Sequence, residues 1–220
     1  MKSIVLLSGG LDSAVCLAQA SRESQVEMCL TFNYGQRAAN KEIEHAQALA
    51  GHFNIKHKTI ELEFFKKFNT SALINYDNNV PKPKKENLDD LEQATQTAAA
   101  VWVPNRNGIF INIAAGFAES LNCQLLVAGF NAEEAATFPD NSAEYVQAAN
   151  TALEYSTANG ASVVSYTQRL NKTDIVQLGE RLSVPWQYVW SCYHGGEKMC
   201  GKCESCRRFY RAMEQAGVTI

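Results

Sequence analysis

The sequence lacks any apolar run approaching the ~20 residues that are needed to cross a bilayer. Its apolar start at residues 3–7 stops at Ser8 and no cleavage site of small residues follows, so no secretory signal is expected. The sequence also lacks a dense basic run, and its formal net charge of −3 gives no general attraction for nucleic acid. We therefore expect a cytoplasmic protein without membrane or nucleic-acid partners.

No internal repeat and no low-complexity tract is visible, so a repeat architecture is not expected. The 220 residues fit one ordinary domain with a small appendage. Hydrophobic residues make up 46% and charged residues 20%, which is typical of a globular protein with a real core.

An alternation of short apolar runs and amphipathic stretches predicts an α/β fold, in which a parallel sheet is covered by helices. Strands are expected at 3–8, 26–32, 57–62, 124–130 and 162–166. Helices are expected at 12–21, 40–50, 107–121, 141–158 and 171–183. Asn171 and Asp174 are placed to cap the last of these helices.

Residues 66–103 interrupt this alternation. The segment 77–85 is typical of a loop, and the polar stretch from there to Thr97 predicts a weak helix at best. A connection of this length is more often functional or partly disordered than inert. We expect a lid or a dimer arm.

The junction between the first strand and the first helix reads Ser8-Gly9-Gly10-Leu11-Asp12-Ser13. Two glycines allow a tight turn that brings backbone N–H groups against phosphate oxygens, and the helix adds the positive end of its dipole. Ser8 and Ser13 provide hydroxyl donors. Asp12 beside phosphates favours a Mg²⁺ ion between them, and hence a nucleotide–metal site.

The competing interpretation of this junction is a plain turn in which Asp12 caps the helix. Neither the Walker A pattern nor the dinucleotide pattern GxGxxG is present, which excludes the two commonest phosphate loops.

Seven cysteines, an odd number, in a chain without a secretion signal indicate reduced thiols rather than disulfides. Four of them cluster near the C-terminus: Cys192, Cys200, Cys203 and Cys206. Four thiolates at this spacing suit a tetrahedral zinc ion with a closed coordination sphere, which is a structural site. An iron–sulfur cluster and unrelated free thiols are the alternatives; nothing nearby indicates electron transfer, so zinc is preferred.

The strand–SGGLDS–helix junction resembles the PP-loop of the N-type ATP pyrophosphatases, which adenylate a carboxylate or amide oxygen and release pyrophosphate. Together with the four cysteines, three further segments narrow this resemblance: Tyr34-Gly35-Gln36-Arg37, Val103-Pro104-Asn105-Arg106-Asn107 and Ser191-Cys192-Tyr193. From residue 4 to about 210 the chain resembles the 7-cyano-7-deazaguanine synthase (QueC) family. The resemblance implies an adenine nucleotide alpha-hydrolase-like fold with a C-terminal zinc-binding segment.

The resemblance also implies an activity, that of an ATP-dependent C–N ligase in queuosine biosynthesis. The carboxylate of 7-carboxy-7-deazaguanine would be adenylated and attacked by ammonia, and the resulting amide would be adenylated in turn to leave the nitrile. ATP, Mg²⁺ and one structural Zn²⁺ per subunit are the implied cofactors. A homodimer is the implied assembly.

Roles for individual residues follow from the same resemblance. The implied catalytic residues are Asp12, Ser13, Arg106 and Lys172. The implied nucleotide-binding residues are Leu7, Ser8, Gly9, Gly10, Leu11, Asp12, Ser13 and Arg37. The implied substrate contacts are Arg106, Asn107, Glu134, Phe138 and Asp140. Helix capping by Asn107 and a solvated surface position for Lys172 are the competing interpretations.

Residues 133–141 depart from the family pattern. Many members carry an Asp-x-Ser-Gly-Tyr-Pro-Asp-Cys type of stretch, whereas this chain reads Glu-Glu-Ala-Ala-Thr-Phe-Pro-Asp-Asn. Phe138 keeps an aromatic face and Glu134 takes the place of an aspartate, but the Ser-Gly pair and the cysteine are absent. Base recognition is expected here, so a reaction that stops at the amide, or another carboxylated heterocycle as substrate, stays open.

Two rival functions are less well supported by the residues. A tRNA-modifying thiolase would need a catalytic cysteine near the loop, and Cys16 is expected to face the core. A nucleotide sensor without turnover would need neither a metal ligand at Asp12 nor paired arginines. We expect a PP-loop domain at 1–186, with 66–103 as its insertion, and a zinc-binding segment at 187–220.

Overall fold

A five-stranded parallel sheet forms the centre of the molecule in a computed structural model that describes residues 1–68, 70–84 and 88–219. The strands are β1 Lys2–Leu6, β2 Gln25–Asn33, β3 His57–Glu61, β4 Leu125–Val127 and β5 Ser162–Val164, in the order β3-β2-β1-β4-β5. Because the chain changes sides of β1 after β3, the carboxyl end of β1 lies at a topological switch point, where such sheets bind ligands. The predicted α/β fold is confirmed.

Helices cover both faces of the sheet. They are α1 Leu11–Glu23, α2 Ala39–His52, α3 Leu91–Val101, α4 Arg106–Ser120, α5 Ala132–Ala135, α6 Ala143–Ser156, α7 Lys172–Arg181 and α8 Glu204–Ala216. Helix α1 packs against β1, β2, β4 and α7, while α4 packs against β1 and β4. Among the described residues, no helix is long and apolar enough to cross a membrane.

The core is divided between the two faces of the sheet, and β1 contributes to both. Val5 packs with residues of α1, α7 and α8, whereas Ile4 packs with residues of α4 and α6. Both side chains are fully buried. Since successive residues of a strand point to opposite faces, the near-continuous apolar run at the N-terminus is what a central parallel strand requires.

Several strands end earlier than the sequence predicts. β1 ends at Leu6 rather than at residue 8, and β4 ends at Val127 rather than at residue 130. The apolar residues beyond these ends leave the sheet at the switch point, where Leu7 and Phe130 pack against helices or line a cavity. The residues beyond the strand ends are therefore apolar because they are buried, and not because they pair with a neighbouring strand.

The insertion 66–103 contains more structure than expected. Helix α3 spans eleven residues, and the Asp90 side chain caps it by accepting a hydrogen bond from the Gln93 N–H at 3.0 Å. Ala72, Leu73 and Val80 are buried, so this part of the insertion is docked on the domain. Residues 69 and 85–87 lie outside the described ranges. Its expected role as a lid or dimer arm stays a prediction.

The C-terminal segment is joined to the main core. Helix α8 packs on α7, and Phe209, Ala212 and Met213 belong to the same buried cluster as α1. The helix ends at Gly217, which adopts the left-handed conformation of a helix C-cap. The domain boundary expected at residue 186 therefore stays a prediction. The residue composition changes there, but the buried core is continuous across this position.

Candidate active site

The phosphate loop occupies the predicted place, between β1 and α1. Gly9 has φ of +79°, and a Cβ built there would lie 3.0 Å from the Glu42 carbonyl oxygen and 3.1 Å from the Ala46 nitrogen. Both atoms belong to the backbone of α2, which cannot give way easily. A glycine is thus required at this position for conformation and for close packing of the loop on α2.

The loop and the start of α1 form a compact hydrogen-bonded turn. The Ser8 N–H donates to Ser13 Oγ at 3.3 Å, and the two serine hydroxyls lie 3.1 Å apart. Helix α1 begins at Leu11, with Gly10 as its N-cap residue and no side chain capping it. Asp12 therefore does not cap this helix, and the interpretation of the junction as a plain capped turn is wrong on this point.

Asp12, Lys172 and Glu134 form a buried charge cluster beside the loop. Lys172 Nζ donates to Asp12 Oδ2 and to Glu134 Oε1, each at 2.6 Å. Lys172 is 7% exposed, so it is not a solvated surface lysine. The cluster holds two carboxylates and one ammonium, which leaves negative charge for a further cation.

Burial raises the pKa of Asp12 to about 6, and the neighbouring Glu134 acts in the same direction. Burial alone would also raise the pKa of Glu134, but the Lys172 ammonium outweighs it and holds that pKa below its ordinary value. Asp12 Oδ1 is buried without a hydrogen-bond partner among the described residues. An unpaired buried carboxylate oxygen beside a phosphate-type loop fits Mg²⁺, which prefers oxygen ligands.

A cavity extends from the phosphate loop across the carboxyl ends of β1, β2 and β4. Its predicted lining residues are Leu7, Ser8, Gly10, Leu11, Asp12, Ser13, Arg106, Asn107, Glu134, Phe138 and Lys172. The structure therefore brings together residues that are up to 165 positions apart in the chain, counted from Leu7 to Lys172. Asp140 lies behind this wall, where its carbonyl oxygen accepts a hydrogen bond from Asn107 Nδ2 at 3.3 Å.

Arg106 is the first residue of α4 and faces the cavity. Burial lowers the pKa of Arg106, but Tyr34, Asp140 and Glu134 together raise it above its ordinary value. Among residues 1–68, 70–84 and 88–219, no carboxylate forms an ion pair with this guanidinium. Asn107 does not cap α4, because Asn105 is the N-cap residue. A guanidinium that lies in a cavity wall without a carboxylate partner is suited to bind an anionic ligand through two parallel hydrogen bonds.

Part of the cavity wall is aromatic. Phe32 stacks on Phe110 with ring centroids 4.1 Å apart, and Phe138 stacks on Trp102 at 6.1 Å, each pair inclined by 12°. Phe138 follows α5, in the segment 133–141 that departs from the family pattern, and this segment lies on the cavity as expected. Such rings offer flat apolar faces to a heteroaromatic ligand.

Arg37 is not brought to the phosphate loop. Its guanidinium donates to the carbonyl oxygens of Ala72, Asn75 and Asn78 at 2.6–2.8 Å and lies over the ring of Tyr76. These contacts hold the insertion against the domain, and Arg37 does not line the cavity. The charge expected from Arg37 is supplied in the cavity wall by Arg106 and Lys172 instead.

The four clustered cysteines converge as predicted. Their sulfur atoms all lie within 4.8 Å of one another, and Cys200 Sγ is 3.9 Å from Cys206 Sγ. A tetrahedral ion with metal–sulfur distances of ~2.3 Å needs sulfur atoms ~3.8 Å apart, so the set fits zinc. Backbone N–H groups point at two of these sulfurs, such as His194 N–H at 3.3 Å from Cys192 Sγ.

The segment that leads into the cysteines also holds the phosphate loop. The Trp190 N–H donates to the Gly9 carbonyl oxygen at 2.8 Å, and the Leu11 N–H donates to Ser191 Oγ at 3.4 Å. These bonds join positions about 180 residues apart in the chain. Sequence reasoning gave Ser191 no such role, because no local spacing connects two motifs that lie at opposite ends of the chain.

Other cavity residues were also missed by sequence reasoning. Glu133 and Arg208 lie in the wall and form an ion pair at 3.0 Å, and Tyr193 also lines the cavity. The one indication in the sequence that Glu133 belongs to the site was its position directly before Glu134, a predicted substrate contact. Arg208 lies two residues after Cys206, in a segment that the sequence marks for metal binding alone.

Comparison with known proteins identifies relatives over the whole chain. A model of the family "Queuosine biosynthesis protein QueC" matches residues 2–217. A 7-cyano-7-deazaguanine synthase of Desulforamulus reducens is 57% identical over 100% of this chain and 96% of its own length. The same enzyme of Pelotomaculum thermopropionicum is 56% identical over the full length of both chains.

Among solved structures, a 4-thiouridine synthetase in complex with RNA and bound ATP covers 98% of this chain, with a TM-score of 0.51 and 16% identity. The chain spans 50% of that structure, and the likeness shows the shared fold alone. The match to the family model and the identities of more than half agree with the loop, the cysteine cluster and the cavity. The chain belongs to the QueC family of queuosine biosynthesis proteins.

Proposed function

We propose that the protein is an ATP-dependent ligase that converts 7-carboxy-7-deazaguanine and ammonia into 7-cyano-7-deazaguanine. The observation that carries this proposal is the buried Asp12–Lys172–Glu134 cluster beside the phosphate loop, facing an unpaired Arg106 in one cavity. The relatives named for this product, identical at more than half of all positions, support the choice of substrate.

The proposed reaction has two adenylation stages. A carboxylate oxygen attacks the α-phosphorus of ATP and pyrophosphate leaves; ammonia then attacks the acyl carbon, AMP leaves and an amide remains. The amide oxygen attacks a second ATP, pyrophosphate leaves again, and loss of AMP and the amide protons forms the C≡N bond. Each stage increases negative charge on a leaving phosphate group, which positioned donors stabilise.

The loop supplies those donors in our proposal. The N–H groups of Gly9, Asp12 and Ser13, at the loop and the amino end of α1, would hold pyrophosphate oxygens. Lys172 would move one of its hydrogen bonds from a carboxylate to a phosphate oxygen. Asp12 Oδ1 would hold Mg²⁺, which when bound neutralises charge on the phosphates. The other proposed nucleotide contacts are Leu7, Gly9, Gly10 and Leu11.

The remaining wall would bind the base. Arg106 would hold the carboxylate, and the ring of Phe138 would stack on the bicyclic base. Glu134 keeps one carboxylate oxygen free of Lys172, and it can accept hydrogen bonds from N–H groups of the base. Asn107 and Asp140 are proposed to position this side of the cavity, since Asn107 connects the start of α4 to residue 140.

A direct assay tests the proposal. Purified protein is incubated with ATP, Mg²⁺, ammonium and 7-carboxy-7-deazaguanine, and the base, AMP and pyrophosphate are followed by mass spectrometry. We expect two AMP per nitrile formed. The amide as the final product would favour the alternative raised by the unusual 133–141 segment. Absence of AMP would refute the proposed activity on this substrate.

Four further features belong to the proposal. We infer one structural zinc ion per chain, held by the four clustered cysteines, and metal analysis should give a 1:1 ratio. A homodimer and a cytoplasmic location accord with the sequence-based expectations, and the mass in solution tests the first. Binding of nucleic acid is not expected, because the formal net charge is −3.

A further inference from the structure

Arg208 occupies an unusual position between three parts of the molecule. It lies on α8, two residues after Cys206, and its side chain is 14% exposed. Nε donates to Glu204 Oε1 at 2.9 Å, Nη1 to Glu133 Oε2 at 3.0 Å, and Nη2 to the Leu88 carbonyl oxygen at 2.8 Å. Each nitrogen of the guanidinium thus has a protein acceptor, although the residue lines the cavity.

Glu133 connects Arg208 of α8 to the first residue of α7. Its second carboxylate oxygen, Oε1, accepts a hydrogen bond from the backbone N–H of Lys172 at 2.8 Å. That N–H belongs to the first residue of α7, where no partner exists within the helix. A carboxylate at this helix end is also stabilised by the helix dipole.

Lys172 completes the connection to the phosphate loop. Its backbone is held by Glu133, and its Nζ holds Asp12 and Glu134 at 2.6 Å. The start of α8 is fixed by the cysteine cluster, since Cys203 is its N-cap residue and Cys206 lies in its first turn. An unbroken series of contacts therefore runs from the cysteines to Asp12.

We propose that Arg208 is a positioning residue, which fixes Glu133 and, through it, the amino end of α7 and the Lys172 side chain at the phosphate loop. In this arrangement the cysteine segment sets the geometry of the adenylation site. The inference rests on the proposed function, because it needs Lys172 to act on ATP. Arg208 is assigned no direct contact with the substrate, since its three nitrogens are already occupied by protein acceptors.

Kinetics of five variants test the proposal. We expect R208M to lower kcat by roughly 10- to 100-fold, the range produced by small displacements of reacting groups, with little change in KM for the base. R208K can keep one of three contacts and should be intermediate. The double variant R208M/E133A should be no slower than E133A alone, because both changes break one connection. R207M is the matched control: Arg207 donates to the Lys202 carbonyl oxygen and does not contact Glu133, so its activity should stay within about twofold.

A second readout does not depend on the activity. Exchange of the Lys172 backbone amide with deuterated solvent, followed by NMR without ATP, reports the Glu133 bond directly. We expect exchange at least about tenfold faster in R208M and E133A than in R207M, with the zinc content unchanged. E133Q preserves volume and an acceptor for the case in which R208M does not fold, and it should give a smaller acceleration.

The two readouts separate the possible failures. If the native protein forms no AMP but Lys172 exchange still accelerates in R208M, the proposed function fails and the structural connection stands. Equal Lys172 exchange in R208M and R207M, or native kcat in R208M, would overturn the positioning role.

Discussion

The cysteine site and the candidate active-site cavity are built in opposite ways. The cysteine site takes its four sulfurs from fifteen consecutive residues, Cys192 to Cys206, and closes around its centre. The cavity gathers its charges from Asp12, Arg106, Glu134 and Lys172, on separate elements. Among the described residues, Arg106 has no carboxylate partner and Asp12 Oδ1 has no hydrogen-bond partner. The first site is suited to stability, and the second is suited to hold ligands.

This difference leads to separable effects of mutation. A closed metal site should affect folding first and activity only as a consequence. A change in the open cavity should affect activity more than the fold. When the Asp12 charge is removed, Lys172 keeps Glu134 as its ion-pair partner, and the cost of burying an ionised Asp12 is relieved.

The largest effect should come from Cys203→Ala. Losing one of four ligands should release the zinc ion and lower the free energy of unfolding by several kcal/mol, on the order of 5. Metal analysis and thermal denaturation provide the measurements. Cys123→Ala is the matched control, since Cys123 is also fully buried but lies outside the cluster; it should keep the metal and lose only about 1 kcal/mol. A C203A protein that retains zinc and melts normally would remove the basis of the comparison.

The second effect concerns the cavity. Asp12→Asn keeps the shape of the side chain but removes its charge, and we expect turnover to fall at least about 100-fold. Zinc content and the melting temperature should stay close to those of the native protein. The exposed Asp77 gives the control variant Asp77→Asn, with native turnover. If D12N unfolds like C203A, the two sites are not separable.

A third, intermediate effect should follow from Gly129→Ala. A Cβ at Gly129 would lie 2.8 Å from the Ser13 nitrogen and 3.1 Å from the Asp12 carbonyl carbon, so the phosphate loop would have to shift. Overpacking of this kind costs about 1–3 kcal/mol, and ATP binding should weaken as well. Gly116→Ala is the control: that site in α4 is open, and the change should stabilise the helix by about 0.5–1 kcal/mol. Calorimetry of unfolding and of ATP binding distinguishes the two variants.

The smallest effect is the titration of Asp12. Because burial raises its pKa from 3.8 to about 6, the carboxyl carbon signal in NMR should have its midpoint near pH 6, and the same signal should be absent from D12N. The folded pKa lies above the unfolded value, so ionisation of Asp12 opposes folding, and this cost develops as the pH rises from about 4 to about 6. A midpoint near 4 would show that the cluster does not desolvate Asp12.

Sequence reasoning predicts a site correctly where the residues that form it lie a few positions apart. The phosphate loop, the cysteine cluster and the cap at Asn171 each depend on spacings of a few positions, and the Asn171 side chain does accept from the Asp174 N–H at 2.9 Å. The order of strands and helices follows from hydrophobic periodicity. These parts of the prediction needed no knowledge of the tertiary structure.

The same reasoning fails where an acceptor is a backbone atom or a distant side chain. Arg37 and Arg106 look alike in sequence. The Arg37 guanidinium donates to three carbonyl oxygens of the insertion, whereas Arg106 lines the cavity and has no carboxylate partner among the described residues. Glu133 and Arg208 are 75 positions apart, and no local pattern connects them. Strand ends were placed too late because burial at the switch point extends the apolar runs beyond the sheet.

The bonds from Trp190 and Ser191 to the phosphate loop have a consequence for how this chain can be divided. A fragment that ends at residue 186 would contain every residue of the SGGLDS loop and yet lack the partners of Gly9 and Leu11. Recombination that replaced the cysteine segment with that of an unrelated protein would separate the loop from those partners too. The phosphate loop and the cysteine segment thus depend on each other for their structure, although they lie at opposite ends of the sequence.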